Sequence, residues 1–149
     1  MQAEYKILAV DDSAEDLVLI REAFAECGEP CHLTFATTPD EAKSFLERES
    51  FDLVICDYSV GGQGMGESLI HSIRERAPMT PIVVLSGYSD PRAAYAAGAN
   101  AFVMKPGNFD QFIETVRGIM AFWVGVAILP QRKKPGSVAS RNTPTVSEV

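Results

Sequence analysis

Short apolar runs alternate with stretches of helical periodicity five times between Tyr5 and about Val126. Tyr5–Val10 is the first run and ends at Asp11-Asp12. Ser13 then reads as an N-cap, and Leu17, Ile20, Ala23 and Phe24 recur at helical spacing until Gly28-Glu29-Pro30 stops the helix. His32–Ala36 is a second, weaker strand. Thr38-Pro39-Asp40-Glu41 is a capping box with proline at the first helical position, opening a helix with Ala42, Phe45 and Leu46 on one side. Leu53–Cys56 runs into Asp57, and a glycine-rich loop (Gly61, Gly62, Gly64, Gly66) precedes a helix marked by Leu69, Ile70 and Ile73. Pro81–Leu85 ends at Ser86, Pro91–Ala97 is a short helix closed by Gly98, Ala101–Met104 ends at Lys105-Pro106, and Phe109 to about Val126 reads as the last helix. Strands that are continuous apolar runs belong to a sheet covered on both faces. The pattern predicts an α/β fold with a parallel sheet.

Composition narrows the class. At 149 residues the chain suits one domain with one core, and 46% apolar against 22% charged residues is the balance of a folded protein. The net charge is -7, which argues against a nucleic-acid partner, since phosphate contacts need clustered Lys and Arg. The charge is uneven. Residues 131–149 carry Arg132, Lys133, Lys134 and Arg141 against Glu148 and are rich in Ser, Thr and Pro, so a disordered basic tail is expected after a folded unit of residues 1–130. No basic stretch followed by an apolar run opens the chain, and the longest apolar stretch, Met120 to Pro130, is too short to span a bilayer. A cytoplasmic protein with no membrane partner is expected. Cys27, Cys31 and Cys56 have no disulfide-framework spacing, and Pro30 with only two histidines argues against a zinc site at Cys27 and Cys31.

Ligands of an open parallel α/β sheet bind beyond the carboxyl ends of its strands. Asp11 and Asp12 stand there after the first strand, Asp57 after the third, Ser86 after the fourth and Lys105 after the fifth. They gather if strand one lies beside strand three. Singly, each has an ordinary reading as a turn former or solvated side chain; jointly, they share one edge of the sheet. Three converging carboxylates repel unless a cation offsets them, and Mg²⁺ is a hard ion suited to oxygen ligands. Asp57 is then a nucleophile toward an activated phosphoryl group, with Lys105 and Ser86 as donors to its oxygens.

These positions resemble the receiver domains of two-component response regulators, over about residues 5–129. The match comprises the acidic pair Asp11-Asp12, the phospho-accepting Asp57, Ser86 followed by the small Gly87, and Lys105-Pro106. The resemblance implies a flavodoxin-like (βα)5 fold with strand order 2-1-3-4-5. It implies Mg²⁺ held by Asp12, Asp57, the Ser59 backbone carbonyl and, mainly through water, Asp11. It implies a cis bond before Pro106 and a switch in which Ser86 swings toward the phosphoryl group with Phe102 turning in behind it. Phe102 also reads as a plain edge aromatic, Tyr88 lies where water access is tuned, and Cys56 is a buried strand residue. The opening Asp-Asp-Ser-Ala-Glu-Asp, Asp110-Gln111-Phe112, and Phe122-Trp123 followed by Leu129-Pro130 are similar to the small regulators paired with phytochrome histidine kinases. That group implies a sensor histidine kinase as donor and a homodimer formed through the last helix, with Phe109, Phe112, Val116, Ile119 and Trp123 on its face. The same stripe is what a wide core face would show.

The chain departs from the family in the loop after Asp57, where Gly61 and Met65 stand in place of the usual proline and glycine. A looser loop is expected. The rival readings are a receiver-like interaction module without phosphoryl turnover and a flavin-binding flavodoxin-like protein. Two carboxylates after the first strand would repel a flavin phosphate.

Overall fold

The computed structural model describes residues 4–26, 28–87 and 90–130. Cys27, Tyr88 and the basic tail lie outside the described residues. Ten elements alternate along the chain: β1 Tyr5–Val10, α1 Ala14–Ala25, β2 Cys31–Ala36, α2 Pro39–Arg48, β3 Leu53–Asp57, α3 Gly66–Arg76, β4 Ile82–Ser86, α4 Pro91–Ala97, β5 Ala101–Met104 and α5 Phe109–Trp123. The strands form one parallel sheet in the order β2-β1-β3-β4-β5, so strands one and three are neighbours as expected. Their register pairs Val10 with Cys56 and Asp57 with Leu85, which levels the carboxyl ends of the central strands.

Strand parity divides the core into two layers, since successive side chains point to opposite faces. Odd positions Ile7, Ala9, Leu53, Ile55, Val83 and Leu85 pack with α1 and α5. Even positions Leu8, Val10, Val54, Cys56, Ile82 and Val84 pack with α2, α3 and α4. Most of these side chains are fully buried, each stabilising the fold by roughly 1.5–3 kcal/mol for a Val, Leu or Ile. Continued past the strand ends, the odd series reaches Asp11, Asp57 and Lys105, on the α1/α5 side. The even series reaches Ser86 and includes Phe102, on the other.

The caps follow the sequence with one change. Ser13 Oγ accepts from Asp16 N at 3.2 Å and Thr38 Oγ1 accepts from Glu41 N at 3.1 Å. The reciprocal bond of the second box comes from Thr37, whose N–H and hydroxyl both donate to Glu41 Oε1. Helix α5 ends at Trp123, three residues before the sequence pattern fades, because turns at 124–126 replace the last helical step.

Two expectations are corrected. Every peptide bond among the described residues is trans, including Lys105–Pro106. Trans is the lower-energy form even before proline, by about 0.5–1 kcal/mol, and in that form Lys105 N still donates to Ser86 O at 2.7 Å. The expected dimer face also changes. Phe112, Val116 and Ile119 are buried inside the protomer, in the core that α5 forms with α1 and the sheet, so their apolar surface is already covered. Trp123 is half-buried against the same core, while Phe109 is 61% exposed. The large exposed apolar side chains at the end of the described chain are Phe122, Val126 and Ile128.

Candidate functional site

Asp11, Asp12 and Asp57 meet at the carboxyl edge of β1 and β3, each offering a carboxylate oxygen within 4.8 Å of the others. Asp11 and Asp57 are buried and Asp12 is exposed. Asp11 Oδ1 accepts from Ser13 N at 2.9 Å, which ties the acidic pair to the start of α1. Asp57 Oδ1 accepts from Ser59 N at 3.2 Å, and its Oδ2 accepts from Ser59 Oγ at 3.1 Å. The Ser59 carbonyl, expected as a metal ligand, accepts from Gly62 N at 3.1 Å. A carbonyl has two lone pairs, so that bond leaves one available.

Lys105 reaches over this cluster from the end of β5. Its Nζ donates to Asp57 Oδ2 at 3.1 Å, to Asp11 Oδ2 at 3.2 Å and to Asp16 Oδ2 at 2.6 Å. Burial alone would lower the lysine pKa, but its bonds with Asp16, Asp11 and Asp57 outweigh this and hold it above its ordinary value. The ring of Phe112 lies 6.0 Å from the ammonium. That residue, expected on a dimer face, lines the floor under the lysine instead. Asp16 entered the sequence reading only as the last residue of Asp-Asp-Ser-Ala-Glu-Asp, with no role at the site. Its position in Ser-x-x-Asp marks it as a helix-start acid and nothing more.

Burial pushes Asp11 up to about 7, with the Ser13 N–H and Lys105 working against that rise. Three carboxylates therefore share one ammonium, with the exposed Asp12 beside them, and the buried Asp11 is held in an environment that resists its charge. A hard divalent cation fits this donor set: three converging oxygens, a negative surplus and an open side toward solvent.

Ser86 ends β4, buried, on the other parity face. With Asp57, Ser59, Gly62, Gln63, Gly64, Gly87 and Lys105 it lines a cavity of ≈ 510 Å³. The loop forming its outer wall turns on Gly61, Gly62 and Gly64, at φ of 92°, 105° and 81°, a region side-chain-bearing residues rarely adopt. Gly66 opens α3 against Tyr58; a Cβ there would lie 2.6 Å from the Tyr58 carbonyl oxygen. The loop that sequence suggested would be loose is thus a run of turns seated on Tyr58. Burial, with a hydrogen bond to Glu67, pushes the Tyr58 hydroxyl up to about 12. Phe102 stacks edge-on against Tyr58, ring centres 5.9 Å apart, and its N–H donates to Tyr95 Oη at 3.2 Å. Cys56 is fully buried beside Asp57, and burial raises its pKa, which makes it a strand residue of low reactivity.

The response regulator receiver domain model matches residues 7–117. The chain belongs to the response regulator receiver family. Among known structures, this receiver is similar to the phosphorylated cyanobacterial phytochrome response regulator RcpA, with a TM-score of 0.78 and 27% identity over 87% of this chain and 100% of that one. The manganese-bound response regulator Rcp1 shares the fold, with a TM-score of 0.76 and 23% identity over 85% of this chain and 99% of that one. In sequence, the receiver is 30% identical over 115 residues to the hydrogenase transcriptional regulatory protein HoxA of Cupriavidus necator. That match covers 74% of this chain and 23% of HoxA, so the receiver spans about a quarter of that relative. Among the described residues no helix is long and apolar enough to cross a membrane.

Proposed function

We propose that this receiver takes a phosphoryl group onto Asp57 from the phosphohistidine of a sensor histidine kinase, in a magnesium-dependent reaction in the cytoplasm. The observation that carries the reading is the convergence of Asp11, Asp12 and Asp57 with Lys105 at the edge of one cavity. An Asp57 oxygen attacks phosphorus, an O–P bond forms, and the P–N bond to the donor imidazole breaks with its electron pair leaving on nitrogen. Lys105 donates to Asp57 Oδ2 before transfer and offsets charge on the phosphoryl oxygens during it. Ser86 presents a hydroxyl to the same group from the opposite parity face. Asp11, Asp12, Asp57 and the Ser59 carbonyl would hold Mg²⁺, which supplies charge neutralisation on the transferring group.

Several observations support the finer parts of this reading. RcpA, at 27% identity, was solved phosphorylated and is a phytochrome response regulator; a phytochrome-type kinase is the partner we infer. Phe102 shares a parity face with Ser86 and rests on Tyr58 beside the cavity, which fits a switch that couples the hydroxyl to β5. Exposed Phe122, Val126 and Ile128 at the end of the described chain, with Phe109 at the start of α5, fit a homodimer. Signals would then leave by protein contacts.

Intact mass after incubation with a small acyl phosphate decides the central point. One phosphoryl addition is expected, requiring both Mg²⁺ and Asp57 and absent in Asp57→Asn. No addition to a folded protein under any condition would sink the phospho-acceptor reading and favour an interaction module.

A further inference from the structure

The ammonium of Lys105 has three N–H donors and three carboxylate partners, which are not equivalent. Asp11 and Asp57 belong, with Asp12, to the oxygen cluster; Asp16 stands outside it, on the first turn of α1. The bond to Asp16 is nevertheless the shortest of the three, 2.6 Å against 3.1 and 3.2 Å. The acid at this helical position ordinarily reaches back to the N–H of its own N-cap residue. Here that donor, Ser13 N, is taken by Asp11 Oδ1 at 2.9 Å. Asp16 keeps its backbone cap from Ser13 Oγ and spends its carboxylate across the molecule on Lys105.

Phosphoryl transfer changes what Asp57 offers the lysine, because one of its oxygens becomes the bridging oxygen of an acyl phosphate. Asp16 makes and breaks no bond, so its charge is the same before and after. Lysine carries its charge on a flexible four-carbon stem that needs a partner to fix it. We infer that Asp16 is a positioning residue, which holds the Lys105 ammonium beside Asp57 through transfer and so sets how fast Asp57 is phosphorylated. The inference rests on the phospho-acceptor reading above.

The test is a double-mutant cycle of Asp16→Asn with Lys105→Met. The rate of phosphoryl addition from a small acyl phosphate is measured at saturating Mg²⁺, beside thermal melting of each variant. Asp16→Asn should slow the maximal rate roughly tenfold, the scale of one charge-assisted hydrogen bond, with little change in the donor concentration at half-maximal rate. In the Lys105→Met background the same change should have no further effect. Asp16→Glu should recover part of the rate. In metal-free protein, Lys105 should react several-fold faster with an amine-acylating reagent once Asp16 is Asn, as peptide mass would show. Asp16→Ser serves in the same cycle if the Asn variant does not fold. A parental rate in Asp16→Asn, or an equal slowing in both backgrounds, would overturn the inference while leaving Asp57 as acceptor. Failure of the unsubstituted protein to accept phosphate would instead remove the reading beneath it, and this inference with it.

Discussion

Two cations sit at opposite rims of the sheet, and the fold treats them differently. Lys105, at the carboxyl edge, is bonded to three carboxylates. Arg74, at the amino edge of β4 and β5, is bonded to neutral oxygens: the carbonyls of Ala77, Pro78, Thr80 and Gly98, and Asn100 Oδ1, at 2.6–3.1 Å. Asn100 Oδ1 in turn accepts from Ile82 N, the first residue of β4. The planar guanidinium thus clasps the end of α3 and the loops before β4 and β5 in one fixed geometry. Burial lowers the Arg74 pKa, and its hydrogen-bonding capacity is spent on dipoles of the protein itself. At the carboxyl edge the negative charge exceeds what one lysine offsets. The difference separates a centre that is complete without a ligand from one that is not.

The comparison breaks if the two cations respond alike to substitution. Lys105→Met should slow phosphorylation of Asp57 on the order of 100-fold or more, since it removes a preorganised positive group from the transferring oxygens. Its metal-free form should melt lower, because Asp11 stays buried without its partner, and millimolar Mg²⁺ should restore much of that loss by binding the folded state. Arg74→Met should cost roughly 2–4 kcal/mol, as several carbonyls lose their donor at once, and Mg²⁺ should restore none of the loss attributable to Arg74. Urea unfolding of both variants with and without Mg²⁺ checks this; recovery of the Arg74 variant beyond that of the unsubstituted protein would erase the distinction. Gly66→Ala sharpens it from a third direction. It lies on the carboxyl edge, yet its added Cβ would strike the Tyr58 carbonyl and ring at 2.6–2.7 Å, and overpacking of this kind costs about 1–3 kcal/mol. The loss should appear in urea unfolding, with Mg²⁺ affinity changed less than threefold, on the order of 0.6 kcal/mol.

What was legible beforehand followed from periodicity. Five apolar runs and five helical patterns give the elements, and the residues just past each run give Asp11, Asp12, Asp57, Ser86 and Lys105 at one edge, as the sheet order then places them. Asp16 and Arg74 were invisible for one reason. A helix-start acid and a helix-end base both look like partners of the helix dipole, and only tertiary proximity shows that each is bonded to another element. The α5 stripe failed differently. Counting apolar residues cannot tell a wide core face from a second interface, and contact with α1 and the sheet assigns Phe112, Val116 and Ile119 to the core. The glycine-rich loop shows another limit, because glycine content speaks to freedom in the unfolded chain and not to the conformation that the fold selects. The folded loop uses that freedom at three glycines of positive φ, Gly61, Gly62 and Gly64.

The parity of the strands has a consequence for how such a chain tolerates insertion and deletion. Asp11, Asp57 and Lys105 meet because each lies an even number of steps along its strand from the core residues below it: Ile7 and Ala9, Leu53 and Ile55, Ala101 and Val103. One residue added within β3 would turn Asp57 toward the face of Cys56 and expel it from the site. One residue added among the turns after Ser59 leaves that parity intact, because it lies outside the strand and before α3 opens at Gly66. Parity thus leaves length open in the loops that shape the cavity, where glycine turns and close packing set the limits, and freezes it, to the single residue, in the strands that aim the chemistry.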